Sequence, residues 1–286
     1  SFSLLESNTL SKNTCVLEMT SMEIIVVGNE VLAGRVQDSN SHYICSQATV
    51  LGIEVKRITV IPDDLEIITS TLREAISRKP NFVITTGGLG STYDDMTLKA
   101  LASSVNQPLE VNQELLEDLE KKFELVYQMG RAKHKEMTEE RKKLAYVPRG
   151  SKIFLNPVGL APATLVQIGE TKIISLPGFP QEVKALFEKH LVRLLKETVK
   201  EQYVEECITT EGLIESDLSP LIDQVREKHP QVWIKSQPQR DQKITAQIYL
   251  SARGKNANAA VQTAKKELEE KIIKSKGKII GKTNQK

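Results

Sequence analysis

The stretch FVITTGGLGSTYDDMT, Phe82 to Thr97, decides how this chain reads. The apolar run Phe82 to Ile84 has the length and side chains of a buried strand. After Thr86, the glycines Gly87, Gly88 and Gly90 let the backbone turn sharply with its N–H groups exposed, which suits a phosphate. Asp94 and Asp95 follow, just before MTLKALASSV, in which Met96, Leu98, Leu101 and Ala102 recur at helical spacing. Amides offered to a phosphate beside carboxylates able to hold a divalent cation make up the chemistry of a nucleotide or pterin-phosphate site. The segment alone leaves a second reading open, in which the glycines only connect strand to helix and Asp94 or Asp95 caps that helix.

Upstream, strand and helix alternate. MEIIVVG from Met22 is a strand, SNSHYICSQATVLG a helix ending at Gly52, IEVKRITVI a strand, and DDLEIITSTLREAISR a helix stopped before Pro80. Such alternation predicts βαβ units and a mostly parallel sheet in an α/β fold, with ligands at the C-terminal strand ends. Three loops then share one sheet edge: Gly28 to Gly34, with Asn29 and Glu30; Pro62 to Asp64, with Asp63; and Thr86 to Asp95. An acidic residue after a strand also serves as a helix cap, so Glu30 and Asp63 are the weaker nominations.

Downstream, residues 112–144 are rich in Glu and Lys at helical spacing and read as solvated helices without a site. LNPVGLAP (Leu155 to Pro162) and SLPGFPQE (Ser175 to Glu182) are turn-rich and flank an apparent hairpin around Gly169. A helix opening just after Gly178 could face an anion with its free N–H groups. From about Tyr203 the order becomes β-α-β-β-α, a small α+β domain with a turn around Arg240 and Asp241.

The domain expectation is therefore a disordered extension over residues 1–21, a nucleotide domain over 22–198 and a small α+β domain over 203–282, with Met22 an alternative start. Composition agrees with an ordinary soluble protein: 286 residues, 40% hydrophobic and 27% charged. A net charge of +2 excludes the strong basic excess of a dedicated nucleic-acid binder. Cys15, Cys45 and Cys207 are odd in number and far apart, so neither a disulfide framework nor a paired-cysteine metal site is expected, and a reducing cytoplasm is the simplest home. No apolar run approaches the ~20 residues of a membrane span.

Four ordered motifs, GNEVLAG (Gly28 to Gly34), TTGGLGSTYDD (Thr85 to Asp95), NPVGLAP (Asn156 to Pro162) and LPGFPQE (Leu176 to Glu182), resemble the molybdopterin-binding-like domain that opens the CinA proteins and occurs in MogA and MoeA. GLIESDLSPLI and VWIKSQP resemble the small KH-like domain that follows it in CinA. The resemblance implies a three-layer α/β/α sandwich binding a nucleotide or a pterin phosphate, with Gly28, Asn29, Asp63, Thr86, Gly87, Gly88, Gly90, Asn156, Gly159, Pro177 and Gly178 around the ligand. In the CinA branch it implies metal-dependent hydrolysis of the pyrophosphate of ADP-ribose or a related dinucleotide, with Asp94 and Asp95 as metal ligands and Glu30 assisting. In the MogA branch it implies adenylylation of molybdopterin. Asp95 matches the aspartate closing the motif in both branches, Asp63 an acidic position of the MogA pattern. Asp94 stands where MogA-like proteins tend to carry arginine, which favours the CinA side. The chain ends where the amidohydrolase domain of CinA would begin, so no deamidase activity is expected. A homo-oligomer is expected. An RNA-binding role is discounted, because no GXXG loop occurs from Tyr203 onward.

Overall fold

The computed structural model describes residues 19–199, 202–240 and 244–283. The first unit runs β1 (Ser21–Val27), α1 (Asn29–Leu32), α2 (Ser39–Val50), β2 (Glu54–Ile61), α3 (Leu65–Ser77), β3 (Phe82–Thr86) and α4 (Thr97–Ser104). An insert follows: β4 (Leu109–Val111), α5 (Gln113–Gln128), α6 (Glu139–Lys143) and β5 (Tyr146–Pro148). The unit closes with β6 (Lys152–Phe154), β7 (Ala163–Ile168), β8 (Thr171–Leu176), α7 (Pro180–Leu186), a π-turn over Phe187–Leu191, and α8 (Val192–Thr198).

Six strands form one sheet in the order β2-β1-β3-β8-β7-β6. β2, β1, β3 and β8 are parallel, and the β7–β8 hairpin and β6 add an antiparallel edge. β1 is buried from Met22 onward and β3 along its whole length because both faces are covered, as expected for strands inside a parallel sheet. Met22, Ile24 and Val26 of β1 pack with Ile44 and Ala48 of α2 and with Leu186 and Leu195 of the last helical stretch. Ile25 and Val27 pack on the other side with Ile68 and Leu72 of α3 and Leu101 of α4. The result is a three-layer α/β/α sandwich. Glu23, buried at the start of β1, is held bidentately by Arg78 at 2.7 and 2.7 Å, so its charge is not left alone in the core.

A second unit carries an antiparallel sheet, order β10-β11-β9-β12, from β9 (Tyr203–Glu211), α9 (Glu215–Lys228), β10 (Trp233–Arg240), β11 (Ile244–Arg253), α10 (Ala257–Lys274) and β12 (Lys278–Thr283). Its helices pack on one face, with Leu218, Ile222, Val261 and Leu268 against Ile208 and Ile248. Arg253 joins the two units. Its guanidinium donates to the Gly52 carbonyl and lies 4.8 Å from the centre of the Tyr203 ring.

Three details differ from the sequence reading, and one expectation falls partly outside the described residues. β12 is an extra strand paired with β9, its two isoleucines too few to mark it among lysines. Ser21, assigned to the extension, is the first residue of β1, tied to Asn81 at 2.8 Å; residues 1–18 of that extension lie outside the described residues. The turn placed around Arg240 and Asp241 likewise falls partly outside them. α5 is not simply solvated: Leu115, Leu119 and Phe123 anchor it in a separate cluster with Leu144, Ala145 and Val147.

Candidate functional site

From β1 the chain turns to β2 on one side and comes back to β3 on the other, so the C-terminal ends of β1 and β3 open a crevice at the point where the strand order reverses. Gly28 closes β1 by donating to Ile61 O at 3.1 Å, and α1 begins at once. The Glu30 carboxylate folds back over Gly28; a Cβ there would lie 2.7 Å from its Oε1. Asp63 accepts from Asn29 N at 2.7 Å, while its neighbour Asp64 caps α3 by accepting from Glu66 N and Ile67 N. The cap after β2 is thus Asp64, which leaves Asp63 turned toward the crevice. Burial raises the pKa of Asp63; the hydrogen bond from Asn29 opposes this, and the charges of Glu30, Asp94 and Asp95 add to the rise. Four carboxylates therefore share one electrostatic neighbourhood.

Thr86 and Gly87 line a cavity of about 50 Å³ with Glu30, Asn40 and Gly178. Thr86 is 1% exposed, and its hydroxyl has no hydrogen-bond partner among the described residues. Asn40 Nδ2 donates to Gly178 O at 2.8 Å, bracing the start of α2 against the loop after β8. Pro177 is buried behind that loop and Gly178 is exposed in it.

Gly87 and Gly88 of the turn after β3 are demanded by packing and by their left-handed backbone. Gly87 has φ +93°, and a Cβ would sit 2.1 Å from Val27 O; Gly88 has φ +66°, with Thr97 Oγ1 at 2.3 Å. Gly90 is pressed against the Asp95 carboxylate. Thr97 ties the turn down, donating from Oγ1 to Gly87 O (2.9 Å) and from N to Gly88 O (3.1 Å). Leu89, 5% exposed, plugs into the cluster under the insert. The turn is thus clamped between sheet and insert, and the amides of residues 88–91 find no acceptor among the described residues.

Neither Asp94 nor Asp95 caps α4, whose N-cap Met96 makes no side-chain bond. Asp95 accepts from Thr92 N at 2.8 Å, and its Oδ2 lies 2.6 Å from Thr92 Oγ1, which Asp94 Oδ1 also approaches at 2.5 Å. One hydroxyl proton serves one carboxylate at a time, so Thr92 is shared. The Asp94 carboxyl is held below its ordinary value chiefly by that bond, with a contribution from Lys143. Asp94 and Asp95, the residues expected to hold a divalent cation, both lie against Thr92, and no group of three His, Cys, Asp or Glu that could hold a metal occurs among the described residues.

On the insert side of the turn lies a larger cavity, about 540 Å³, lined by the turn, by Lys99 and Leu109, and by Glu139, Glu140, Lys143 and Tyr146. Lys143 donates to the Thr92 carbonyl. The segment read from sequence as solvated helices without a site thus lines a cavity beside the turn. Asn156 and Gly159 belong to a neighbouring brace. Asn156 is buried with its amide donating to Ala161 O (2.8 Å) and Glu182 Oε2 (3.0 Å), and its Oδ1 accepting from Val158 N and Gly159 N. Lys122 of α5 donates to the Asn156 carbonyl at 2.8 Å, and burial raises the pKa of Glu182. Sequence reasoning missed Asn40, Thr92, Lys99, Lys143 and Glu182. LPGFPQE did contain Glu182, but its partner Asn156 is visible only in the fold.

A family model described as "Probable molybdopterin binding domain" matches residues 23–197, well over half of the chain. The chain belongs to this molybdopterin-binding-domain family. Among its relatives are a protein of Sulfurisphaera tokodaii, 36% identical over 273 residues that cover 92% of this chain and 99% of that one, and a protein of Metallosphaera sedula, 36% identical over 228 residues covering 80% and 82%. A solved structure, described as the protein CinA with unknown function from Thermoplasma acidophilum, is 35% identical with a TM-score of 0.53, covering 59% of this chain and 94% of its own. The N-terminal unit is thus both molybdopterin-binding-like and CinA-like. No helix among the described residues is long and apolar enough to cross a membrane.

Proposed function

We propose that this protein binds a pterin phosphate or nucleotide at the β1–β3 crevice, its phosphate lying against the turn after β3, in keeping with the molybdopterin-binding family. The observation that carries the reading is the pairing of a buried, unpartnered Thr86 hydroxyl with a run of unpaired amides at residues 88–91. A buried hydroxyl without a partner costs roughly 1–3 kcal/mol, which a ligand oxygen would recover. Gly28, Asn29, Gly87, Gly88, Gly90 and Gly178 are the backbone positions of this reading, with Asn156, Gly159 and Pro177 holding the adjacent loops. Calorimetric titration with ADP, ADP-ribose, FAD, NAD and a pterin phosphate tests it; absence of binding to all five refutes it.

A second reading, hydrolysis of a pyrophosphate bond, is favoured by the crowding of Glu30, Asp63, Asp94 and Asp95. A carboxylate whose pKa is raised is a better base near neutrality, so Asp63 takes the proton of a water attacking phosphorus as the bridging P–O bond breaks. ADP-ribose would yield AMP and ribose 5-phosphate. Chromatography after incubation under a panel of divalent metals decides between turnover and binding alone. The C-terminal unit, read as KH-like, serves in this proposal to pack against a second copy in a cytoplasmic homo-oligomer. Its solvent-facing Trp233, 57% exposed, supports that reading, and light scattering tests it.

A further inference from the structure

The two cavities flanking the turn after β3 differ about tenfold in size, near 50 Å³ on the crevice side and near 540 Å³ on the insert side. The smaller has the size for a phosphate oxygen or a water. The larger falls in the range of small-molecule sites, several hundred cubic ångströms. Its wall combines apolar Leu89 and Leu109 with the aromatic Tyr93 and Tyr146, and adds two cations, Lys99 and Lys143. Neither lysine is in an ion pair within 4 Å among the described residues, although Asp95, Glu139 and Glu140 line the same cavity and the charge of Lys143 reaches Asp94; Glu139 is taken by Lys142 at 2.8 Å and Asp95 accepts from Thr92 N. Lys143 is anchored to the Thr92 carbonyl, at the edge of the unpaired amides. Two lysines without a close ion pair, beside unpaired amides, offer donors to an anion amid the carboxylates of the same wall, and the apolar and aromatic residues behind them suit a flat ring.

We infer that the insert-side cavity receives the planar heteroaromatic ring of the ligand and that Lys143, helped by Lys99, is the cationic contact to its phosphate. The inference rests on the phosphate-binding reading above and divides that site into two parts. The insert β4–β5 thereby sets specificity for the ring, while the sheet edge supplies the phosphate contacts. A purine and a pterin share this chemistry, so ADP and a pterin phosphate are both titrated, alongside adenosine and inorganic pyrophosphate.

Lys143→Met is expected to raise Kd for ADP and for pyrophosphate about ten- to a hundredfold, the loss of one charge-assisted hydrogen bond, and to leave adenosine unchanged. Glu140→Trp, at an exposed position of α6, and Leu109→Trp, on β4, fill the cavity; each is expected to raise Kd at least tenfold for ADP or the pterin phosphate and for adenosine, not for pyrophosphate. Melting curves identify which filled variant is folded, and Glu140→Trp alters no buried contact. Undiminished ADP and pterin-phosphate binding by folded Glu140→Trp and Leu109→Trp, or undiminished pyrophosphate binding by Lys143→Met, overturns this division while leaving the phosphate site standing. A wild-type protein that binds none of the four probes overturns this division, and one that also fails to bind ADP-ribose, FAD and NAD overturns the phosphate site as well.

Discussion

Replacing Gly87 by alanine separates two costs that glycine turns usually confound. Gly34 serves as control: its φ of +67° is also left-handed, but nothing lies within 4 Å of the Cβ it would gain. Gly34→Ala therefore meets backbone strain alone, about 1–2 kcal/mol, less the roughly 0.4–1 kcal/mol gained by restricting the unfolded chain. Gly87→Ala meets the same strain plus a Cβ 2.1 Å from the carbonyl oxygen of Val27 in the neighbouring strand. Moving the turn away adds about 1–3 kcal/mol of overpacking and strains the Gly87 N to Leu176 O bond of 3.1 Å, worth about 1 kcal/mol. The expected difference between the two variants is about 2–4 kcal/mol, or roughly 4–16 °C in the melting transition of a unit of this size. Urea titration followed by far-ultraviolet circular dichroism measures it. Equal destabilisation of the two variants would show that the turn relaxes freely and would refute the clamped turn inferred from the geometry.

Asp95→Asn weakens a charge-assisted bond to Thr92 N, so the turn should lose about 1 kcal/mol, and ADP-ribose turnover, if present, should fall sharply; unchanged turnover removes Asp95 from the chemistry. Glu182 has a raised pKa, so the folded state holds its proton more tightly than the unfolded state and stability should fall as pH rises from 4.5 through that raised value. Denaturation midpoints across this window should slope in the wild type and flatten in Glu182→Gln; identical slopes would refute the assignment. Arg253→Ala removes the donor to Gly52 and the cation over Tyr203, so amide exchange around residues 50–54 should accelerate while binding at the crevice is retained.

The layered architecture was legible because β1 and β3 are short apolar runs between capped amphipathic helices, a pattern that few other arrangements bury. The site was legible in part. Thr86, Asp63 and the glycines announce a loop at the right sheet edge, yet Gly87 and Gly88 would be glycine with or without a ligand, since Val27 O and Thr97 Oγ1 exclude a side chain. Sequence cannot separate these two demands. Lys143 was invisible for another reason: it lies in a charged run typical of solvated helices, some fifty residues from Thr92, and only the anchoring of α5 through Leu115 and Phe123 brings the insert back over the turn. β12 escaped because a lysine-flanked pair of isoleucines is indistinguishable from a tail until β9 offers it an edge.

The position of β3 also governs how the molecule assembles in time. Phe82–Thr86 must pair with β8 at Lys172–Leu176, so the sheet cannot be completed until everything between them has emerged and its loop has closed. Such long-range pairing slows folding, whereas the β7–β8 and β10–β11 hairpins join near neighbours in the chain. The hairpins are therefore expected to order first, with the β1–β3 crevice among the last features to form, and a pulse-labelling experiment would see protection at Ile248 before protection at Ile84.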